Sequence, residues 1–125
     1  MLRTLMVVTA SVVALTLTAG PAAANSILNG SFETGAFTNW SQFGETSFSG
    51  VAFGDVNGVS PTDGSYQAFF GPFDFGGIVQ DVGTTAGQSY VISFDLANLA
   101  GRPNFFDVSF DGVSLTSFTN ASAFP

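Results

Sequence analysis

Carboxylates are the only ionisable side chains that this sequence carries in number: nine Asp and Glu stand against two Arg, with no histidine and no cysteine. Two carboxyl groups flanking a glycosidic bond can hydrolyse it, one as general acid and the other as base or nucleophile. The pairs closest in sequence are Asp74 with Asp81 and Asp107 with Asp111. Their surroundings do not support that chemistry. Asp107 falls on the polar side of an alternating stretch, Asp111 in a turn signal and Asp74 in a Gly- and Phe-rich loop, and a solvated surface explains each. Without histidine the commonest general base and transition-metal ligand are missing. Without cysteine there is no thiolate nucleophile, no disulfide and no common structural zinc site. The inventory assembles no nucleophile with its base, and the expectation is a protein that is not an enzyme.

Two other groups invite a binding role. Asp55-Val56-Asn57-Gly58 looks like the opening of a calcium loop, but a helix-flanked loop of that type needs a later acidic ligand at its twelfth position, and an Asx-rich turn accounts for the residues better. Trp40 is the single tryptophan, and a ring of that kind can stack on the apolar side of a pyranose. Burial is the commoner fate of a lone aromatic. Tyr66 and Tyr90 have the same two readings, and their places on alternating apolar faces favour the core.

The elements that must position these residues are strands. Tyr90-Val91-Ile92-Ser93-Phe94-Asp95-Leu96 alternates, with Tyr90, Ile92, Phe94 and Leu96 on one face and Ser93 and Asp95 on the other. Phe106, Val108 and Phe110 alternate with Asp107 and Ser109, Asp111-Gly112 supplies a tight turn, and Val113-Ser114-Leu115-Thr116 alternates again, which predicts a β-hairpin. Shorter strands are expected over 26–32, over 41–53 with a break at Gly44 or Gly50, over 66–70 and over 77–82. The stretch 54–65 holds Asn57-Gly58, Ser60-Pro61 and Asp63-Gly64, and reads as a long loop at one end of the fold. No apolar spacing of three and four residues appears after residue 24, and short strands without intervening helices predict an antiparallel β-sandwich or jelly roll. Fifteen phenylalanines are the chief apolar resource. Adjacent rings such as Phe69-Phe70 and Phe105-Phe106 cannot both point inward from one strand.

The N-terminus reads as a secretory signal. Arg3 gives a minimal positive start, 5–17 is mostly apolar, Gly20-Pro21 breaks the run and Ala22-Ala23-Ala24 offers small residues to a signal peptidase, so the cut is expected after Ala24. The run is shorter than the roughly 20 residues a bilayer core requires, and no second one follows, so no membrane span is expected after cleavage. The product is expected to be secreted or otherwise extracytoplasmic, at the cell surface or in the periplasm. Removing residues 1–24 of 125 leaves 101, with Arg102 the one basic residue against nine acidic ones and a formal charge of −8. Such a charge excludes nucleic acid and disfavours anionic membrane surfaces, and fits solubility outside the cell.

Three stretches in order resemble a family of secreted jelly-roll modules of galactose-binding-like architecture, which includes many bacterial carbohydrate-binding modules. They are Leu28-Asn29-Gly30-Ser31-Phe32-Glu33-Thr34-Gly35 with Trp40 shortly after, Asp63-Gly64-Ser65-Tyr66-Gln67-Ala68-Phe69-Phe70, and Gly77-Ile78-Val79-Gln80-Asp81-Val82 followed by Thr85-Ala86-Gly87-Gln88-Ser89-Tyr90-Val91-Ile92-Ser93-Phe94. The same order resembles exported bacterial proteins of the PEP-CTERM type, and the match covers most of 28–118. The closing strand with a Leu-Asp-Asp-Val-like segment is absent from this sequence, as is the Pro-Glu-Pro sorting tail.

The resemblance implies a galactose-binding-like jelly roll, here truncated over 25–125, with polysaccharide or glycan as its partner and surface adhesion as its role; a structural extracellular or surface-matrix protein without small ligand is the alternative. Trp40 and Tyr66 are the candidate sugar contacts, although the place of Trp40 shortly after the first motif matches a packing residue in the resembled modules. By resemblance, Glu33 contributes to a structural calcium site with the Asp63-Gly64-Ser65 turn, where calcium would take carboxylate and carbonyl oxygens; a turn carboxylate that caps backbone amides is the competing reading. The missing strand is expected to leave an edge uncovered between the first strand and the terminal hairpin, open to self-association.

Overall fold

The computed structural model describes residues 26–97 and 104–119 in full and residues 2–8 and 11–19 as backbone strands. Among them there is no helix, and every strand pair is antiparallel. Nine strands follow one another: β1 Leu2–Val8, β2 Ser11–Ala19, β3 Ser41–Gly44, β4 Ser49–Phe53, β5 Tyr66–Phe70, β6 Gly76–Gly83, β7 Tyr90–Ala97, β8 Phe105–Phe110 and β9 Val113–Thr119. One sheet of five has the order β3-β6-β1-β8-β9, while β2 pairs with β7 and β4 with β5. β2 also runs close beside β5. The arrangement is sandwich-like. Ile78 and Val82 of β6 and Phe106 and Val108 of β8 meet Ala68 of β5, with Val51, Ile92, Phe94 and Leu96 packed around them.

Alternation sets the strands. Along β6, Ile78, Gln80 and Val82 are buried and Asp81 is exposed; on β8, Phe106 is buried and its neighbour Phe105 is exposed, as adjacent rings on one strand require. The hairpin turn places Asp111 and Gly112 at φ 53° and 77°. Positive φ at both central residues is the turn whose twist matches its flanking strands. The break expected near Gly44 is there, at φ 66°, and it separates β3 from β4.

One segment differs from expectation. Residues 26–32 do not form a strand: they run through consecutive turns, because Asn29 and Phe32 take left-handed conformations at φ 52° and 63°. The Asn29 side chain holds that course by donating to the carbonyls of Ala36 (3.0 Å) and Thr38 (2.9 Å) and accepting from the Thr34 amide. What would have been a strand partner is a side chain instead. The buried Gln80 amide accepts from Leu28 N (2.8 Å) and donates to the carbonyls of Leu28 and Asn39 (3.0 and 2.9 Å), so the segment docks on β6 without joining the ladder. Ile27 and Phe32 still reach the core.

The gap expected between the N-terminal part of the fold and the terminal hairpin concerns the chain without residues 1–24; with them present, β1 is paired to β6 on one side and β8 on the other. β3 and β9 are the edges of the five-stranded sheet. The cut expected after Ala24 lies outside the described residues. No helix among the described residues is long and apolar enough to cross a membrane.

Candidate functional site

Trp40 sits in the core, 7% exposed. Its ring packs on Phe32 at 6.1 Å between centroids, and its indole N–H donates to the Asn29 carbonyl at 3.1 Å. It braces the turn segment from inside and presents no open ring face. Tyr66 is half-buried at the start of β5, edge-on to Phe53 with centroids 5.4 Å apart. Gly35 lies under its ring, so close that a Cβ there would stand 3.1 Å from a ring carbon.

Glu33 and the Asp63-Gly64-Ser65 turn are brought together, as an amide clamp. One carboxylate oxygen of Glu33 accepts from Ser65 N at 2.8 Å and Tyr66 N at 2.9 Å, and Gly64 is the residue that lets the carboxylate lie against the turn, since a Cβ there would overlap it. Calcium takes six to eight oxygens. One oxygen of Glu33 is engaged by these two amides, and among the described residues no three His, Cys, Asp or Glu side chains gather into one group. Asp55 closes its own turn by accepting from Gly58 N at 2.7 Å, and Asp107 accepts from the Ser114 hydroxyl.

The arrangement that stands out lies elsewhere, at the end of the fold where residues 45–48, between β3 and β4, meet residues 71–75, between β5 and β6. Phe73 is 81% exposed, Phe48 64% and Phe75 59%. Phe48 and Phe73 form an edge-to-face pair at 5.2 Å, and Phe75 stacks obliquely on Phe43 at 5.8 Å. The rings are held on a braced frame. Glu45 N donates to the Phe75 carbonyl and Gly71 N to the Phe48 carbonyl, both at 2.9 Å. The Glu45 carboxylate accepts from Phe73 N at 2.8 Å with one oxygen and from both the amide and the hydroxyl of Ser47 with the other. Asp74 accepts from Phe75 N at 2.7 Å. Gly44 and Gly76 permit the loops to touch, for a Cβ at either would overlap the backbone of the other loop.

Sequence reasoning missed this cluster, although a signal for it exists. In Gly44-Glu45-Thr46-Ser47-Phe48 and Gly71-Pro72-Phe73-Asp74-Phe75-Gly76, phenylalanines are interleaved with turn residues rather than set in an alternating run.

The hydrogen bond from the Ser47 hydroxyl, then the Ser47 amide and the Phe73 amide, hold the Glu45 carboxyl below its ordinary value against a smaller opposing effect of desolvation. A carboxyl depressed in the folded state stabilises the loops above its unfolded value, and that contribution is lost as the pH falls through the lower folded value. Protection of the Ser47 and Phe73 amides, taken relative to their intrinsic exchange rates at each pH, is therefore expected to hold from neutral pH down to about 4.3, the ordinary glutamate value, and to decline below it. Exchange in Glu45→Gln is expected to be faster at neutral pH and indifferent to that acid step.

In chemical terms the site offers exposed apolar ring faces beside carboxylate and hydroxyl groups. No protein-family model matches the chain, and none of the curated proteins or solved structures compared with it does so.

Proposed function

We propose that this protein is a non-catalytic extracytoplasmic domain of the galactose-binding-like jelly-roll kind that adheres to polysaccharide through the loops bearing Phe48, Phe73 and Phe75. One observation carries the reading: three largely exposed phenylalanines are gathered on two loops pinned to each other through Glu45. Leaving such a ring in water forgoes roughly 1.5–3 kcal/mol of burial. Exposed apolar groups scattered singly need no account, whereas a rimmed group of them marks a contact surface. The C–H face of a sugar ring suits these rings, and Asp74 and Ser47 at the rim suit its hydroxyls. A chain of formal charge −7 repels polyanions, which points to neutral polysaccharides. Tyr66 with the exposed Phe53 beside it supplies a further aromatic pair, and Trp40 contributes by packing.

An array of neutral and acidic glycans probed with the full chain tests this. Binding to neutral glycans is expected, weakened on the order of tenfold by Phe73→Ala, a loss of 1.4 kcal/mol, with the melting midpoint unchanged because the ring is already in water. A blank array, or binding indifferent to the substitution, removes the proposal. A second reading, a surface-matrix protein without small ligand, is favoured by the edge strand β9, where Val113 and Leu115 are 63% and 53% exposed; an apolar edge of this kind pairs with another copy. Solution mass that climbs with concentration, alongside a blank array, would select it.

A further inference from the structure

β1 and β2 occupy positions inside the fold, and the residues that form them are the ones whose sequence reads as an export segment. β1 is bracketed. It runs antiparallel to β6 from Leu2 opposite Gly83 to Val8 opposite Gly77, and antiparallel to β8 from Leu5 opposite Phe110 to Val8 opposite Asp107. β2 runs antiparallel to β7 from Ser11 opposite Ala97 to Ala19 opposite Tyr90 and lies beside β5. A single N-terminal segment thus contributes a strand to each side of the sandwich. Without it, β6 and β8 face each other across a gap of about 10 Å, two strand spacings. Each then presents a row of unpaired N–H and C=O groups beside buried apolar side chains such as Ile78 and Val108, and buried backbone groups must find partners.

We infer that the chain freed of residues 1–24 is a strand acceptor, and that its occupant is an extended segment of another polypeptide inserted antiparallel between β6 and β8. The register describes the occupant. It spans about seven residues, the length over which β1 pairs with β6. It is apolar where Val7 stands opposite Ile78 and Val108. It contains no proline, which a strand bonded on both sides excludes. It is neutral or basic, because the acceptor carries nine carboxylates and two of them, Asp81 and Asp107, lie on the walls of the gap at the positions opposite Thr4 and Val8. A polysaccharide cannot replace it, since only a polypeptide supplies the alternating donors and acceptors that both walls require.

The test starts from the full chain with a specific protease site placed over residues 22–25, cut while folded. A synthetic peptide of residues 2–19 bearing a fluorophore is then titrated in, and Trp40, buried against Phe32, reports on the core. Uptake is expected to saturate at one peptide per chain, with Trp40 emission at the value of the uncut protein. A peptide with Met6→Pro, altered at the residue opposite both Val79 and Ser109, is expected to bind on the order of tenfold more weakly or worse. The inference is overturned if the cut chain, shown by mass to have lost the segment, keeps the Trp40 emission and melting midpoint of the uncut protein and takes up no peptide. In that case β6 and β8 have closed on each other.

Discussion

Phe106→Ala is expected to abolish cooperative folding at physiological temperature or bring the chain to the edge of it. The ring is fully buried and packs between Phe94 and Phe118 at centroid distances of 5.6 and 6.3 Å. Truncating a buried phenylalanine costs about 3–5 kcal/mol, combining lost transfer energy with the cavity left behind. Domains of this size have on the order of 5–15 kcal/mol in total, and at roughly 4–8 °C per kcal/mol the midpoint falls by more than about 12 °C. Collapse of the neighbours into the space is limited, since Phe106 lies in a strand held on both sides. Phe105→Ala, one residue away with its ring 48% exposed, is the matched comparison. A melting scan that shows similar losses for the two would mean that β8 does not present Phe106 to the core.

The second large effect is expected from the smallest substitution. At Gly76 an added methyl would overlap the carbonyl oxygen of Glu45 and approach its amide nitrogen to 2.8 Å. These are backbone atoms, so no rotamer change can relieve the contact. The first pairs of the β3–β6 ladder, Gly44 opposite Gly76 and Phe43 opposite Gly77, would have to part, at a cost of about 1–3 kcal/mol. The bond from Glu45 N to the Phe75 carbonyl would go with them. Gly76→Ala is thus expected to lose both denaturant stability and glycan binding, whereas Gly83→Ala at the far end of the same strand, where a Cβ meets nothing within 4 Å, keeps both. Equal behaviour of the two variants in a urea titration would show that the loops can separate without cost.

Much of the fold was legible because period-two alternation and turn chemistry are local signals. Tyr90 to Leu96, the hairpin around Asp111-Gly112 and the break at Gly44 were readable on that basis, and the structure has each of them. Where long-range contacts decide the local conformation, reading fails. Nothing local in Leu28 to Phe32 announces that Gln80, more than fifty residues on, will bond its backbone and hold it off the ladder. Residues 2–19 are ambiguous for a different reason: an apolar, β-branched run satisfies both an export segment and a buried strand. The aromatic cluster was missed because hydrophobicity assigns phenylalanine to a core. Which rings remain outside depends on the meeting of two loops separated by more than twenty residues.

The polar groups inside the fold also bear on where such a protein could work. Among the described residues the buried polar side chains are Gln67, Gln80, Thr84 and Ser109, none of which gains or loses a proton in water. The two glutamine amides tie loops to strands, Gln67 by donating to the carbonyls of Gly54 and Val59 and Gln80 through Leu28 and Asn39. Neutral amides hold their partners equally well in brine, acid or alkali short of chemical damage. These four buried side chains therefore contribute no proton linkage to stability, and ionic strength acts mainly by screening the surface carboxylates. Acid reaches the aromatic loops through Glu45, whose carboxylate holds the Ser47 and Phe73 amides, while the bonds of Gln67 and Gln80 have no proton to gain or lose: the bracing of the exposed rings answers to protons that these interior ties ignore.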